Sequence, residues 1–465
     1  MLNNYFKEVL SLSEKVTTSE NKMGVMPINK LLTSMSLPII LSMLVLALYN
    51  IVDSLFVAKI SENAFTALSL AFPIQNLMIA VAVGTGIGVN ALLSRSLGEK
   101  NNKAANLAAT NGLFLSLLSF LAFAIWGLFF SRSFFETQTN DLEIIEYGTQ
   151  YITICTVLSF GIFFQIAYER IMQSSGYTIY NMITQGIGAI INIVLDPILI
   201  FGLFGFPKME VAGAALATVI GQIVAMILCI YFNKTKNEHL HLSLKGFRPH
   251  LGTIKVIYAV GIPSIIMQSI SSVMTFGMNK ILMTYSATAV SVLGAYFKLQ
   301  SFIFMPIYGL TNGMVPIVAY NYGARNKKRI LSTIKLSCVY ALSIMIIGLF
   351  LFQVFPRELF IFFNPSAEMI EIGVPALRII SLSFIFAGFS IVIGSVFQAL
   401  GNGVYSMIIS IARQLVIILP AAYIFSKAFG LYAIWYSFPI AEIISIILTI
   451  IFYQLINKKK LLPLS

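Results

Sequence analysis

Three acids, Asp53, Asp196 and Glu442, and three bases, Lys298, Arg378 and Arg413, fall inside long apolar stretches of the chain. A charge at the centre of a membrane helix costs at least ~2.5 kcal/mol by insertion scales, so each needs a partner or a function. Asp196 stands in Ile191-Asn-Ile-Val-Leu-Asp-Pro-Ile-Leu-Ile200. Asn192 lies one helical turn earlier, on the same face. Pro197 has no N–H to offer, which frees the carbonyl of Ile193. Carboxylate, amide and free carbonyl together make a polar spot able to hold a proton or a small cation. Asp53, in Tyr49-Asn-Ile-Val-Asp53, is a second acid of the same kind. Burial and a neighbouring carboxylate both favour the protonated form, which would let Asp53 or Asp196 take up and release a proton. The alternative for each is neutralisation by a structural partner, or a position at the headgroup level. For Glu442, Lys298, Arg378 and Arg413, pairing that holds helices together stands beside a transport role. Glu169-Arg170 reads as a local ion pair at the inner membrane interface. Asn50, Gln268 and Lys298 are candidate substrate contacts, with polar glue between helices as the alternative for Gln268 and Ser271.

The elements that must position these groups are membrane helices. The chain has 465 residues, 58% hydrophobic and only 10% charged, with a mean hydropathy of +0.88. Soluble domains carry about 25% charged residues, so lipid must be part of the solvent. Twelve stretches are long and apolar enough to span, a crossing needing about 20 residues. The fourth covers 143–173 and the tenth 367–399. These runs are far longer than the ~10-residue alternating strands of a barrel, so the fold class is all-α and integral to a membrane. With both termini inside, Lys and Arg number 21 on that side against six on the other. That asymmetry gives the orientation. It also accounts for the net charge of +12 by anionic lipid headgroups, without nucleic acid.

The two halves repeat. A shift of 225 residues carries Pro38 onto Pro263, Gly84 onto Gly309, Gly88 onto Gly313 and Gly98 onto Gly323. It also carries Gln173 onto Gln398, Gly176 onto Gly401, Tyr180 onto Tyr405 and Met182 onto Met407. Six spans per half give a parallel repeat about an axis along the membrane normal. The expected divisions are an N-terminal segment 1–30, an N-lobe 31–232, an inter-lobe loop 233–251, a C-lobe 252–456 and a basic tail 457–465. The loop region holds all the histidines, His239, His241 and His250. With no further ligands nearby they read as part of a solvated linker. The cysteines Cys155, Cys229 and Cys338 form no CxxC or Cys/His pattern, so no metal site is expected.

At Asp53, the Asn192/Asp196 pair and the repeat, the sequence resembles the multidrug and toxic compound extrusion (MATE) family, and within it the bacterial MepA-type branch. The most specific stretches are Asn192-Ile-Val-Leu-Asp-Pro-Ile-Leu-Ile-Phe-Gly202, Val211-Ala-Gly-Ala-Ala-Leu-Ala-Thr218 and Val315-Pro-Ile-Val-Ala-Tyr-Asn321. The resemblance implies two six-helix lobes and a cation site formed by Asp53, Asn192, Asp196 and Thr218. Pro38 matches the family's first-helix proline. The sodium-coupled branch that uses acids in the seventh and tenth spans is matched less well, since the seventh offers Gln268 and the tenth has only Glu368 and Glu371 at its entrance. Coupling is therefore expected in the N-lobe.

The implied activity is secondary antiport in a bacterial plasma membrane. Amphiphilic, often cationic drugs or dyes would leave by alternating access in exchange for H⁺ or Na⁺, carried out by a monomer with no cofactor. A lipid-linked oligosaccharide flippase of the same superfamily is the nearest rival. It would want a more cationic cavity, which only Lys298, Arg378 and Arg413 could supply. An intramembrane enzyme is the rival of another class. No HExxH, GxSxG or phosphate-binding loop is present, so no catalytic residue is named and ATP-driven export is unsupported.

Overall fold

The computed structural model describes residues 21–464 apart from 241, 244–246, 362 and 364, and only the backbone at 49–52, 54, 55 and 58. Among the described residues there is no β-strand. The first half is built from α1 (Ile28–Ala58), α2 (Glu62–Gly98), α3 (Asn102–Glu136), α4 (Leu142–Val157), α5 (Phe160–Ser174), α6 (Thr178–Phe201) and α7 (Glu210–Lys236). The second half repeats the series as α8 (Leu251–Met283), α9 (Ala287–Gly323), α10 (Lys327–Val354), α11 (Ala367–Ser381), α12 (Phe384–Ala399), α13 (Gly403–Phe429) and α14 (Leu431–Leu464). Among the described residues, ten helices are individually long and apolar enough to cross a membrane. The pairs α4–α5 and α11–α12 are bent by 44° and 49° and pass the same test as pairs. Counting each pair as one span gives twelve.

Helix starts recur at the 225-residue interval because their caps do. Ser61 accepts the Ala64 N–H and Ser286 the Ala289 N–H. Asn101 accepts from Ala104 and Asn326 from Arg329. Asp141 and Ser366 do the same for Ile144 and Met369. Each such oxygen satisfies one of the N–H groups a helix start leaves without a partner. Backbone turns repeat as well: Lys100 and Arg325 take the left-handed region at φ 54° and 55°, and Gly176 and Gly401 at 96° and 77°.

The lobes meet at one end, the end bearing Arg95, Lys100 and Arg325. A β-carbon on Gly98 would lie 3.1 Å from the Ala324 nitrogen and closer still to the Tyr320 carbonyl. One on Gly323 would lie 3.0 Å from the Glu99 nitrogen and closer still to the Arg95 carbonyl. Every partner in the second contact is the partner in the first displaced by 225 residues. Further along, a β-carbon on Gly84 would come within 2.9 Å of the Ile265 nitrogen, and one on Gly309 within 2.9 Å of the Ile40 nitrogen. The seam between lobes is thus two-fold symmetric and set by backbone, which no rotamer change can move aside.

A segment before α1 straps this end. Asn21 donates to the Ser175 carbonyl at 3.3 Å. Arg329 of α10 donates to the Met23 and Met26 carbonyls at 3.0 and 2.8 Å. At the C-terminus Lys460 donates to the Leu400 carbonyl at 2.6 Å. Large apolar side chains on the outer faces, such as Leu128, Phe129, Ile346 and Ile347, are exposed, as a hydrocarbon solvent requires.

Of the histidines, His239 stacks on Tyr177 at 5.8 Å. His250 caps α8 by accepting the Thr253 N–H at 3.1 Å. His241 lies outside the described residues.

The seam makes a direct prediction. Gly98→Val must separate the lobes at the basic end, because the added carbons meet the backbone of α9. Spin labels at positions 100 and 325 should move apart by several ångströms relative to the parent, and Gly323→Val should do the same. An unchanged distance distribution would contradict the seam.

Candidate functional site

A cavity of about 840 Å³ opens between the lobes beyond the seam. Its wall is mostly first-half helices: α1 supplies Met43 and Asp53, α2 supplies Phe72 and Gln75, α5 supplies Glu169 and Arg170, and α6 and α7 supply Asn192 and Thr218. The second half contributes Gln268 and Asn312. Phe65 and Phe72, toward the end away from the seam, are exposed. Toward the seam the cavity is shut by polar contacts across the lobes. Gln173 donates to the Asn312 carbonyl at 2.6 Å, and Arg170 donates to the side-chain oxygens of Gln173 and Asn312 at 2.9 and 3.1 Å.

The four residues expected to form a cation site come together in one side wall. The carboxyls of Asp53 and Asp196 lie next to each other in this wall, and one Asp53 carboxylate oxygen is buried with no hydrogen-bond partner. Asn192 bridges α6 and α7. In its best-satisfied orientation the amide nitrogen donates to Asp196 at 3.3 Å, while the amide oxygen accepts from the Thr218 hydroxyl at 3.2 Å and the Thr218 N–H at 3.1 Å. Asp196 is fully buried and Asp53 is half-buried on the cavity surface. Pro197 lies within α6, so the Ile193 carbonyl has no N–H partner one turn on. The available ligand atoms are all oxygens, since the Asn192 nitrogen only donates, and such a set suits a proton or a hard monovalent cation and not a soft metal. Among the described residues no group of three or more His, Cys, Asp or Glu is arranged to hold a metal ion.

The substrate-contact candidates separate. Gln268 lines the cavity. Ser271 turns back to the Gln268 carbonyl at 2.9 Å. Asn50 falls on a side chain outside the described residues. Lys298 is exposed on α9 and absent from the cavity wall, because its position turns it off the face that α9 presents there. Arg378 is exposed and donates to the Gln353 carbonyl at 3.3 Å. Arg413 and Glu442 pair with each other at 2.9 Å, so the packing alternative holds for these two.

Glu169 and Arg170 correct the sequence expectation of a local ion pair. Neither the distance nor the location fits. The four ion pairs among the described residues do not include them. Both line the cavity, because the break at 158–159 redirects α5 inward. Glu169 is held instead by Gln165 at 3.0 Å and Gln185 at 2.7 Å. The signal that could have found it is the glutamine spacing: Gln165 and Glu169 are one turn apart on the same face.

Fold and site define a class: a two-lobed, multi-pass helical transporter with a polar pocket in one wall of a central cavity. The MatE family model matches residues 38–198 and again 263–424, and the chain belongs to that family. The two matches begin at Pro38 and Pro263, the pair that the internal repeat superposes. The multidrug export protein MepA of Staphylococcus haemolyticus is 29% identical over 431 residues, covering 92% of this chain and 94% of that protein. A FAD transporter of Shewanella oneidensis is 23% identical over 421 residues, covering 90% and 92%. Among solved structures, the outward-facing conformation of a multidrug resistance MATE family transporter of the MOP superfamily matches with a TM-score of 0.88 at 26% identity, covering 97% of this chain and 99% of that one.

The hydrogen-bonded wall can be tested by stability. Thr218→Val removes the hydroxyl that Asn192 accepts from, and a lost buried hydrogen bond costs ~0.5–1.5 kcal/mol. Detergent-solubilised Thr218→Val should melt about one degree below the parent, and Thr218→Ser close to it. Equal melting of parent and valine variant would remove Thr218 from the wall's bonding.

Proposed function

We propose that the protein is a secondary multidrug efflux antiporter. It exports amphiphilic, often cationic compounds in exchange for H⁺ or Na⁺, as a monomer in a bacterial plasma membrane with both termini in the cytoplasm. The observation that carries this reading is the acid pair Asp53–Asp196, one member sealed and the other facing the cavity. An ion reaching Asp196 from the cavity passes Asp53. Substrate and ion then use one vestibule, and the basic seam is its cytoplasmic gate. The cavity wall mixes Met, Phe and Ile with a few amides, a lining that adapts to varied apolar shapes. The names of the MepA relatives support the same substrate class.

The two ligands must favour different states, or no net transport follows. Ion binding at Asp53, Asn192, Asp196 and Thr218 favours one arrangement of the first lobe and substrate the other. The lobes then rock about the seam. A flippase reading is less supported. Arg413 is matched by Glu442, Lys298 and Arg378 are away from the wall, and the one arginine that lines it is tied to amides.

Asp196→Asn should insert at parental levels yet lose ethidium efflux by at least tenfold. Parental efflux from that variant would remove the acid pair from coupling. In reconstituted vesicles, efflux should follow an imposed ΔpH or an imposed Na⁺ gradient, and drive by one of them alone identifies the ion.

A further inference from the structure

The acid site leaves one buried carboxylate unused. Glu169 is 6% exposed, and each of its oxygens accepts from one glutamine amide, Gln165 on Oε1 and Gln185 on Oε2. Its backbone carbonyl accepts from Asn181 at 3.0 Å. No base answers it within ion-pair distance, and its neighbour Arg170 is turned to Gln173 and Asn312. The Arg170 charge acts on it only through space, so its direct partners are amides, which supply partial charges where a buried carboxylate needs a whole one. The same wall holds a second unsatisfied group: the Asn181 side-chain oxygen, in a residue 6% exposed, has no hydrogen-bond partner. Glu169 and Asn181 both line the closed end of the cavity, with the Asn181 oxygen buried just behind its surface.

The two acidic places are distinct. Gln185, which holds Glu169, and Asp196 lie on one helix eleven residues apart, or ~16 Å along its axis. In the ion site Asp196 itself is fully buried behind Asp53. The Glu169 place adjoins the open volume.

We infer that Glu169, framed by Gln165, Gln185 and the Asn181 oxygen, is the anchor for the positive charge of an organic cation, separate from the coupling-ion site. This rests on the multidrug reading above and adds to it where the substrate's charge sits. An aromatic cation bearing amino groups would give its charge to Glu169 and an N–H to Asn181, with its rings against the apolar wall.

The test is equilibrium binding to purified protein with two probes, ethidium and an uncharged phenanthridine of the same ring system. Glu169→Gln keeps the side-chain shape and removes the charge. Ethidium should bind at least tenfold more weakly, the neutral probe within twofold of the parent, and Glu169→Asp should recover part of the ethidium affinity. Ethidium binding at the parental level in Glu169→Gln overturns this inference and leaves the antiporter reading standing. Equal loss of both probes in both variants makes Glu169 a structural residue and also overturns it. A parent protein that binds neither probe overturns both readings.

Discussion

Everything in this molecule depends on how closely two backbones can approach at one end. Where Gly98 meets the Tyr320 carbonyl and Gly323 meets the Arg95 carbonyl, side chains are absent from the contact. A seam of this sort has few intermediate states. Packed surfaces lose much of their dispersion attraction within the first ångström of separation, so the seam is either seated or open. Closing it forces α2 against α8 and α9 against α1, and the same crossing splays the other halves of those helices. The cavity is the volume this splay leaves. Its polar floor, Gln173 and Arg170 on Asn312, lies where the crossing begins.

The repeat that builds the seam is broken in its polar content. Shifted back by 225 residues, Arg413 falls on Gly188 and Glu442 on Ala217. Gly188 lines the cavity beside Asn192, and Ala217 precedes Thr218. The second lobe therefore carries its own arginine and its counter-ion where the first has a glycine and an open polar wall. Its cation is covalently attached and already paired at 2.9 Å. A π-helical stretch from Ala412 to Ile418 carries the arginine, a distortion common at positions where a helix must accommodate an extra group. On the reading proposed above, the mobile ion takes its ligands from the first lobe.

Much of this was legible in the residues. Hydropathy gave the helices, because lipid tolerates no other element there. Gly and Pro at fixed offsets gave the repeat, because they mark backbone geometry and not chance apolarity. The Asn192/Asp196 spacing gave half of the acid site, since one helical turn is a local relation. What a sequence does not carry is the direction a bent span takes after its break. Glu169 and Arg170 are adjacent, of opposite sign and near a span's end, and adjacency suggested a pair. The 44° bend between α4 and α5 turned them to the cavity and gave each its amides from other positions. Lys298 failed for a related reason: an ionisable residue in an apolar run can face outward as readily as inward, and hydropathy is blind to which. The contact of Asn312 with Gln173 joins residues 139 apart, which no local pattern encodes.

On the readings proposed here, ion and substrate exclude each other without sharing a ligand. Gln185, which holds Glu169, and Asp196 are eleven residues apart, or ~16 Å along the helix, and two unit charges at that separation interact by ~1 kcal/mol at an effective dielectric constant near 20. That is about fivefold in affinity, at the lower end of the usual range of coupling between sites. A cation entering at Glu169 thereby raises the cost of one at Asp196, and the reverse holds equally. Overlap would give stronger exclusion, but it would tie the pocket's shape to a small ion. Separation along one helix lets the substrate's charge be held at one place while the ion's ligands keep their own geometry at another. A transporter of varied cations needs that division, since the ion is always the same and the drug is not.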